Sequence, residues 1–222
     1  MRGADPPTVR VRAALVEVER AVDATIAHNA EDLLTRARSG DLRAFAALVE
    51  QTQERAVRVA YGLVGSWEDA RDLSQDAYVK AYEHLDRFDG RSGFYTWYYR
   101  ILTNTCRDHL RRRRLVSFLP LVHRKSPDGP EETHEIEDRA GSSDPVRAAQ
   151  GRETLRGLRA AVERLPERQR AVFVLRYLEE MALEEIAGTL ELSIGTVKAH
   201  LWQATRKVRE LLQRNGIVTE GD

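Results

Sequence analysis

Cysteine is almost missing: Cys106 stands alone in 222 residues, so no internal disulfide can form. A single thiol fits a reducing compartment. Long apolar runs are missing too. The longest obvious one, Ala171 to Leu175, falls far short of the roughly 20 residues a membrane-crossing helix needs. The N-terminus has arginines but no apolar core of the kind an export signal carries. With neither span nor signal, the chain is expected to work in the cytoplasm. Net charge is absent as well, with 35 Lys and Arg against 35 Asp and Glu, so only the local distribution of charge can select a partner. There is no glycine loop of phosphate-cradling form, and the six histidines are dispersed. Cys106-x-x-His109 is half a metal site at best, with no second pair at ligand spacing. Cys106 reads as a small buried hydrophobe. No catalytic residue, metal or cofactor is expected.

What is present is helical and unevenly charged. The hydrophobic fraction of 42% and charged fraction of 32% fit a folded, helix-rich protein. The chain is organised around Arg87 to Arg114. Phe88, Phe94, Tyr95, Trp97, Tyr98 and Tyr99 put six of the fifteen aromatics into twelve residues. From Arg100 to Arg114, six arginines stand against Asp108, a net +5. Rings beside a guanidinium row suit exposed bases on a phosphate backbone, because each base stacked on a ring gains about 1–3 kcal/mol. An aromatic core face with a solvated basic end is the competing reading.

Residues 1–30 form an N-terminal extension with Pro6 and Pro7 and a weak helical spacing of Leu15, Val18, Val22 and Ile26. From Glu31 the helical pattern sharpens. Gly40-Asp41 breaks one helix and offers an N-cap to the next; Gly62 and Gly65 close that one, and Ser66 caps a third. In the third helix Ala70, Leu73, Ala77, Ala81 and Leu85 face inward, leaving Asp69, Asp72, Gln75, Asp76 and Lys80 on a polar side. Asp89-Gly90-Arg91-Ser92-Gly93 is turn chemistry. The aromatic-basic helix follows from about Phe94, with Trp97, Ile101 and Thr105 on one core face. The loop, Tyr95, Arg100, Asn104 and Arg107 are expected to be exposed. Residues 115–149 read as a flexible acidic linker, since seven acids stand against Arg139 between Ser126 and Pro145.

A second helical unit spans residues 150–214, followed by a tail, 215–222. Pro166 opens one helix. Leu183 to Leu190 and Ile194 to Leu212, joined through Glu191-Leu192-Ser193, have helix-turn-helix spacing. Ser193 is an N-cap, and Leu192, Val197 and Leu201 anchor the second helix. The fold class is therefore all-α, two small helical domains joined by a flexible acidic linker, the second containing a helix-turn-helix.

Two nucleic-acid features in this order carry a resemblance. DARDLSQDAYVKAYEHLDRF and SGFYTWYYRILTNTCRDHLRRRR in residues 31–114, and LPERQRAVFVLRYLEEMALEEIAGTLELSIGTVKAHLWQATRKVRELL in 150–214, resemble regions two and four of bacterial sigma factors of the extracytoplasmic-function type. Fold and role follow from the resemblance: a factor that binds core RNA polymerase, directs it to promoter DNA and melts the minus-ten element. The resemblance implies polymerase binding by Asp69, Asp72, Leu73, Gln75 and Asp76. It implies minus-ten binding by Lys80, Arg87, Asp89, Arg91, Ser92, Phe94, Tyr95, Arg100, Asn104, Arg107 and Arg111, with the loop capturing a flipped base. It implies minus-thirty-five reading by Ser193, Thr196, Lys198, Ala199, His200, Trp202, Gln203 and Arg206. Family habit adds an anti-sigma partner. Two departures stand out. Glu180 and Ala182 occupy places where the family often has Gly and a Ser or Thr cap, and the recognition helix has few arginines for reading guanine. The rival function is a stand-alone helix-turn-helix regulator with a helical sensor domain.

Overall fold

A computed structural model describes residues 30–117 and 145–217. Most of the N-terminal extension and the acidic linker, and the last five residues, lie outside the described residues.

Helix α1 covers residues 30–38, and Ala30, Leu33, Leu34 and Ala37 are buried at three- and four-residue intervals. Gly40 takes a left-handed φ of 95°, which releases the chain into a turn. Asp41 then caps α2 (Leu42–Val64), accepting hydrogen bonds from the Arg43 and Ala44 amides. A cap of this kind is worth about 1 kcal/mol. Gly65, at φ 79°, ends α2. Ser66 caps α3 (Trp67–Glu83) by accepting from the Asp69 amide. The five residues expected to face inward, Ala70, Leu73, Ala77, Ala81 and Leu85, are all buried. A 3₁₀ turn, Leu85–Arg87, and the loop that follows lead into α4 (Phe94–Ser117).

Two expectations are corrected. Gly62 does not close α2; it lies inside the helix, and a Cβ there would stand 3.0 Å from a methyl of Val174. The glycine is a gap for another helix. On α4, Trp97 and Ile101 are only half-buried. The core stripe is Phe94, Tyr98, Leu102 and Cys106 at four-residue steps, joined by Tyr99 and Thr105. The Tyr98 ring stacks on Tyr78 at 4.4 Å between centroids.

In the second half, α5 (Pro145–Glu163), α6 (Glu167–Tyr177), α7 (Leu183–Leu190) and α8 (Ile194–Arg214) form a helical cluster. Pro166 occupies the N-cap of α6. Ser193 caps α8, with the Thr196 amide 3.1 Å from its Oγ. Ala161, Leu165, Ala204 and Val208 make a small core between α5 and α8. The larger core is shared. Val172, Val174, Leu175, Met181, Ile186 and Val197 join the buried residues of α1 to α4 in one continuous cluster. The two halves lie against each other, α6 on α2 and α7 on α4. No helix among the described residues is long and apolar enough to cross a membrane.

Candidate nucleic-acid interface

The outward face of α3 places Asp72, Gln75 and Asp76 in solvent on one stripe. Leu73 is buried and serves the core from the opposite side. Asp69 is half-buried and turned toward α4, with its Oδ2 3.5 Å from both His109 and Arg113. Lys80 also turns inward, donating to Thr105 Oγ1 at 3.1 Å. The exposed stripe therefore has three polar residues rather than the five expected. It gains one that the polar reading passed over: Val79 follows Asp72, Gln75 and Asp76 at helical spacing and is 53% exposed. Its signal was an apolar residue out of register with positions 70, 73, 77 and 81.

Turn chemistry shapes the loop before α4. Asp89 accepts from the Arg91 backbone amide at 3.0 Å and from its guanidinium at 2.6 Å. These donors hold the Asp89 carboxyl below its usual range. Gly90 supplies φ 73°. The two rings that follow separate. Phe94 is only 5% exposed and packs against Phe88 and Trp97, so it supports the loop from within. Tyr95 is half-buried, with its hydroxyl donating to Gln51 Oε1 at 3.0 Å. Arg87 and Arg91 are exposed and Ser92 is half-buried. On α4, Arg107 and Arg111 are exposed, whereas Arg100 and Asn104 are half-buried.

Those two half-buried residues meet the second half of the chain. Arg100 donates to the backbone carbonyl of Gly188 at 2.9 Å and lies 3.9 Å from the Glu191 carboxylate. Thr189 Oγ1 lies 3.5 Å from the Thr96 carbonyl. Asn104 and Arg107 line a narrow cleft closed by Leu190 and Leu192. The Tyr99 hydroxyl donates to the Glu179 carboxylate. In the other direction, Arg170 donates to the Leu63 carbonyl at 2.8 Å and Arg159 to the Gly65 carbonyl at 3.1 Å. The first half thus supplies one arginine, and the second half two, to carbonyls at the end of a helix in the other.

The helix-turn-helix leaves its second helix largely open. Lys198, Ala199, Trp202, Gln203 and Arg206 are exposed, and Trp202 is 62% so. The Arg206 guanidinium lies 4.7 Å from the centre of the Trp202 ring and 3.6 Å from Glu210. Gln203 accepts from the Gln169 amide at 2.8 Å. Ser193 is spent on capping, and Thr196 and His200 are half-buried.

The backbone shows what the first departure, at Glu180 and Ala182, costs. Glu180 adopts φ 52°, the left-handed conformation that favours glycine. Ala182 sits at the N-cap of α7 with no side-chain acceptor, and only its backbone amide is satisfied, by Glu185 at 2.8 Å.

Described residues that are helical throughout, with an aromatic-basic helix in one half and a helix-turn-helix in the other, define a nucleic-acid-binding protein. The comparisons say which. Residues 48–116 match the model of Sigma-70 region 2, and residues 155–208 that of Sigma-70, region 4. The chain is 31% identical over 189 residues to the RNA polymerase sigma-H factor of Pseudomonas aeruginosa, covering 82% of this chain and 93% of that one. It is 32% identical over 189 residues to the ECF RNA polymerase sigma-E factor of Escherichia coli K12, covering 82% and 95%. The sigma factor RpoE of Bartonella quintana, solved with the anti-sigma factor NepR, superimposes with a TM-score of 0.60 at 25% identity over 78% of this chain and 98% of that one. The chain belongs to the ECF group of the sigma-70 family. It is an alternative sigma factor that directs RNA polymerase, an initiation factor and not an enzyme.

Proposed function

We propose that the two halves divide promoter recognition as follows. Residues 31–114 hold core polymerase and the minus-ten element, and residues 150–214 read the minus-thirty-five element. Asp72, Gln75 and Asp76, with Val79 beside them, dock on polymerase. Leu73 supports that face from the core, and Asp69 orients the start of α4. Arg87, Asp89, Arg91, Ser92 and Tyr95 receive a flipped base of the opened non-template strand, with Phe94 and Lys80 shaping the site from behind. Unstacking a base costs a few kcal/mol, which ring stacking and edge hydrogen bonds offset. Arg100, Asn104, Arg107 and Arg111 take the adjoining backbone. Melting then needs no nucleotide hydrolysis by this chain.

In the second half Lys198, Ala199, Trp202, Gln203 and Arg206 face the major groove, while Ser193, Thr196 and His200 set the entry of the helix. Trp202 offers an apolar surface for a thymine methyl group, and Lys198 and Arg206 supply donors. The work takes place in the bacterial cytoplasm, where polymerase is. An anti-sigma partner is supported by the RpoE neighbour, which was solved with one.

The observation that carries this reading is the exposed Asp72-Gln75-Asp76 stripe on the same half as the aromatic-basic helix. Replacing Gln75 and Asp76 by Ala tests it. Holoenzyme affinity should fall by tenfold or so, about 1.4 kcal/mol, with the melting curve unchanged. Unaltered affinity would refute the docking assignment.

A further inference from the structure

Gln51 lies on α2, a helix that contributes nothing else to the proposed minus-ten site. Its side chain meets that site all the same: the Tyr95 hydroxyl donates to Gln51 Oε1 at 3.0 Å, across 44 positions in sequence. We infer that Gln51 is a further specificity-determining residue, which reads the pairing edge of a captured adenine or cytosine while Tyr95 sets its amide. This deepens the base-capture reading and rests on it.

The pair is held in one protonation state and one orientation. Burial raises the pKa of the Tyr95 hydroxyl above its ordinary value, against the charge of Arg55. The hydroxyl therefore keeps its proton at neutral pH and gives it to Gln51. That bond turns Oε1 toward the ring and the amide nitrogen away from it. Gln51 is exposed, and its amide nitrogen has no partner among the described residues. Tyr95 is set from behind in turn, its ring edge-on to Phe94 at 5.6 Å between centroids.

A fixed amide offers a fixed order of groups to a base lying against the ring. Oε1 keeps a second lone pair, and beside it Nε2 donates. Adenine and cytosine match that order, each with an exocyclic amino group next to an unprotonated ring nitrogen. The amino group donates to Oε1, and the ring nitrogen accepts from Nε2. Guanine and thymine reverse the order, with a keto oxygen next to a ring N–H. Turning the amide over to suit them would leave the Tyr95 proton without its acceptor. Glutamine pairs bidentately with adenine in the major groove of a duplex. Here the base has left the stack, so its pairing edge is the one within reach. Arg55, exposed one turn beyond Gln51 on α2, supplies a cation for the adjoining phosphate.

The test is transcription by core polymerase with the full chain on a pool of linear templates, each randomised upstream of the start and tagged by a transcribed barcode. Wild type is compared with Gln51→Leu, Tyr95→Phe and the double variant, with melting curves to confirm folding. Gln51→Glu, of the same size but without the donor, gives a second reading should leucine disturb α2. Wild type should favour adenine or cytosine at one minus-ten position. Gln51→Leu should weaken that preference by roughly fivefold or more, and at that position only. Tyr95→Phe keeps the ring but releases the amide, so guanine and thymine should gain there. The double variant should be no less selective than Gln51→Leu alone, because the two side chains act as one unit. Unchanged preferences at every minus-ten position in folded Gln51→Leu and Gln51→Glu would overturn the inference. So would a loss of output spread evenly over all templates, or a change confined to a position where wild type favours guanine or thymine. Failure of the base-capture reading shows separately, in Tyr95→Leu. If that variant too leaves every minus-ten preference intact, no base is held at the ring.

Discussion

The guanidinium of Arg100 donates to the carbonyl of Gly188 at 2.9 Å, joining residues 88 positions apart in sequence. One sits on the helix assigned to the minus-ten strand and the other on the first helix of the helix-turn-helix. The same relationship recurs in reverse where Arg170 reaches the Leu63 carbonyl. Together these contacts hold the two halves of the sigma factor on one shared core.

Packing of the halves is expected to depend on pH through Glu179. Burial raises its pKa above the usual carboxylate range, against the hydrogen bond from Tyr99 and the charges of Arg55 and Arg58, with the Tyr78 hydroxyl nearby. A carboxyl raised in the packed state contributes stability that is fully present below its ordinary pKa and lost as pH rises through the raised value. Packing of the halves should thus weaken as pH rises out of the ordinary carboxylate range, and Glu179→Gln should flatten that part of the profile. Scattering or thermal unfolding across this range checks it; identical profiles for the two proteins would contradict it.

Glu180→Gly should stabilise the protein by about 1 kcal/mol, because glycine relieves a left-handed φ that a side chain resists. Ala182→Ser should add about 1 kcal/mol by supplying the missing acceptor at the start of α7. Urea unfolding measures both. A loss of stability in either variant would mean that the local backbone is not the controlling feature.

Cys106 reports on the cleft without engineering. It is buried, borders the space between the halves with Leu190 and Leu192, and burial pushes its thiol up to about 12. Its reaction with a maleimide at neutral pH should be slow in wild type and faster in Gly62→Gln, whose side chain does not fit beneath Val174. Equal rates, with both proteins folded, would place its protection in α4's own core packing rather than in the contact between the halves.

Much of the fold was legible because local chemistry marks it. Asp41, Ser66 and Ser193 cap the helices the sequence assigned to them, and α7 runs from Leu183 to Leu190 as its spacing indicated. The five inward residues that the helical period picks out around α3 are all buried, but the period passes over Ser74 and Tyr78, which are buried too. The contact between the halves was not legible, for a physical reason. Several of its hydrogen bonds end on main-chain carbonyls of Leu63, Gly65, Thr96 and Gly188, and a carbonyl leaves no mark on residue type. Gly62 read as a helix stop because its partner, Val174, is 112 positions away. Phe94 enters the minus-ten set through the resemblance alone, and a motif match does not say which side of a helix faces the core. Val79 was passed over because a polar stripe was sought.

Trp97 was assigned to the core from its spacing, yet it is half-buried against Phe88 and Phe94. Trp97→Ala should still destabilise the first half, by roughly 2–3 kcal/mol, below the cost of deleting a fully buried aromatic. An unchanged melting temperature would show that the ring is free for a ligand.

The most direct test of the account is transcription from fragmented genomic DNA of the source bacterium by purified core polymerase, with and without this chain, followed by mapping of the RNA 5′ ends. The account predicts a small set of start sites found only when the chain is present, sharing one sequence near minus ten and another near minus thirty-five. Gln75→Ala/Asp76→Ala should lose all of them together. The same start sites with and without the chain would contradict it.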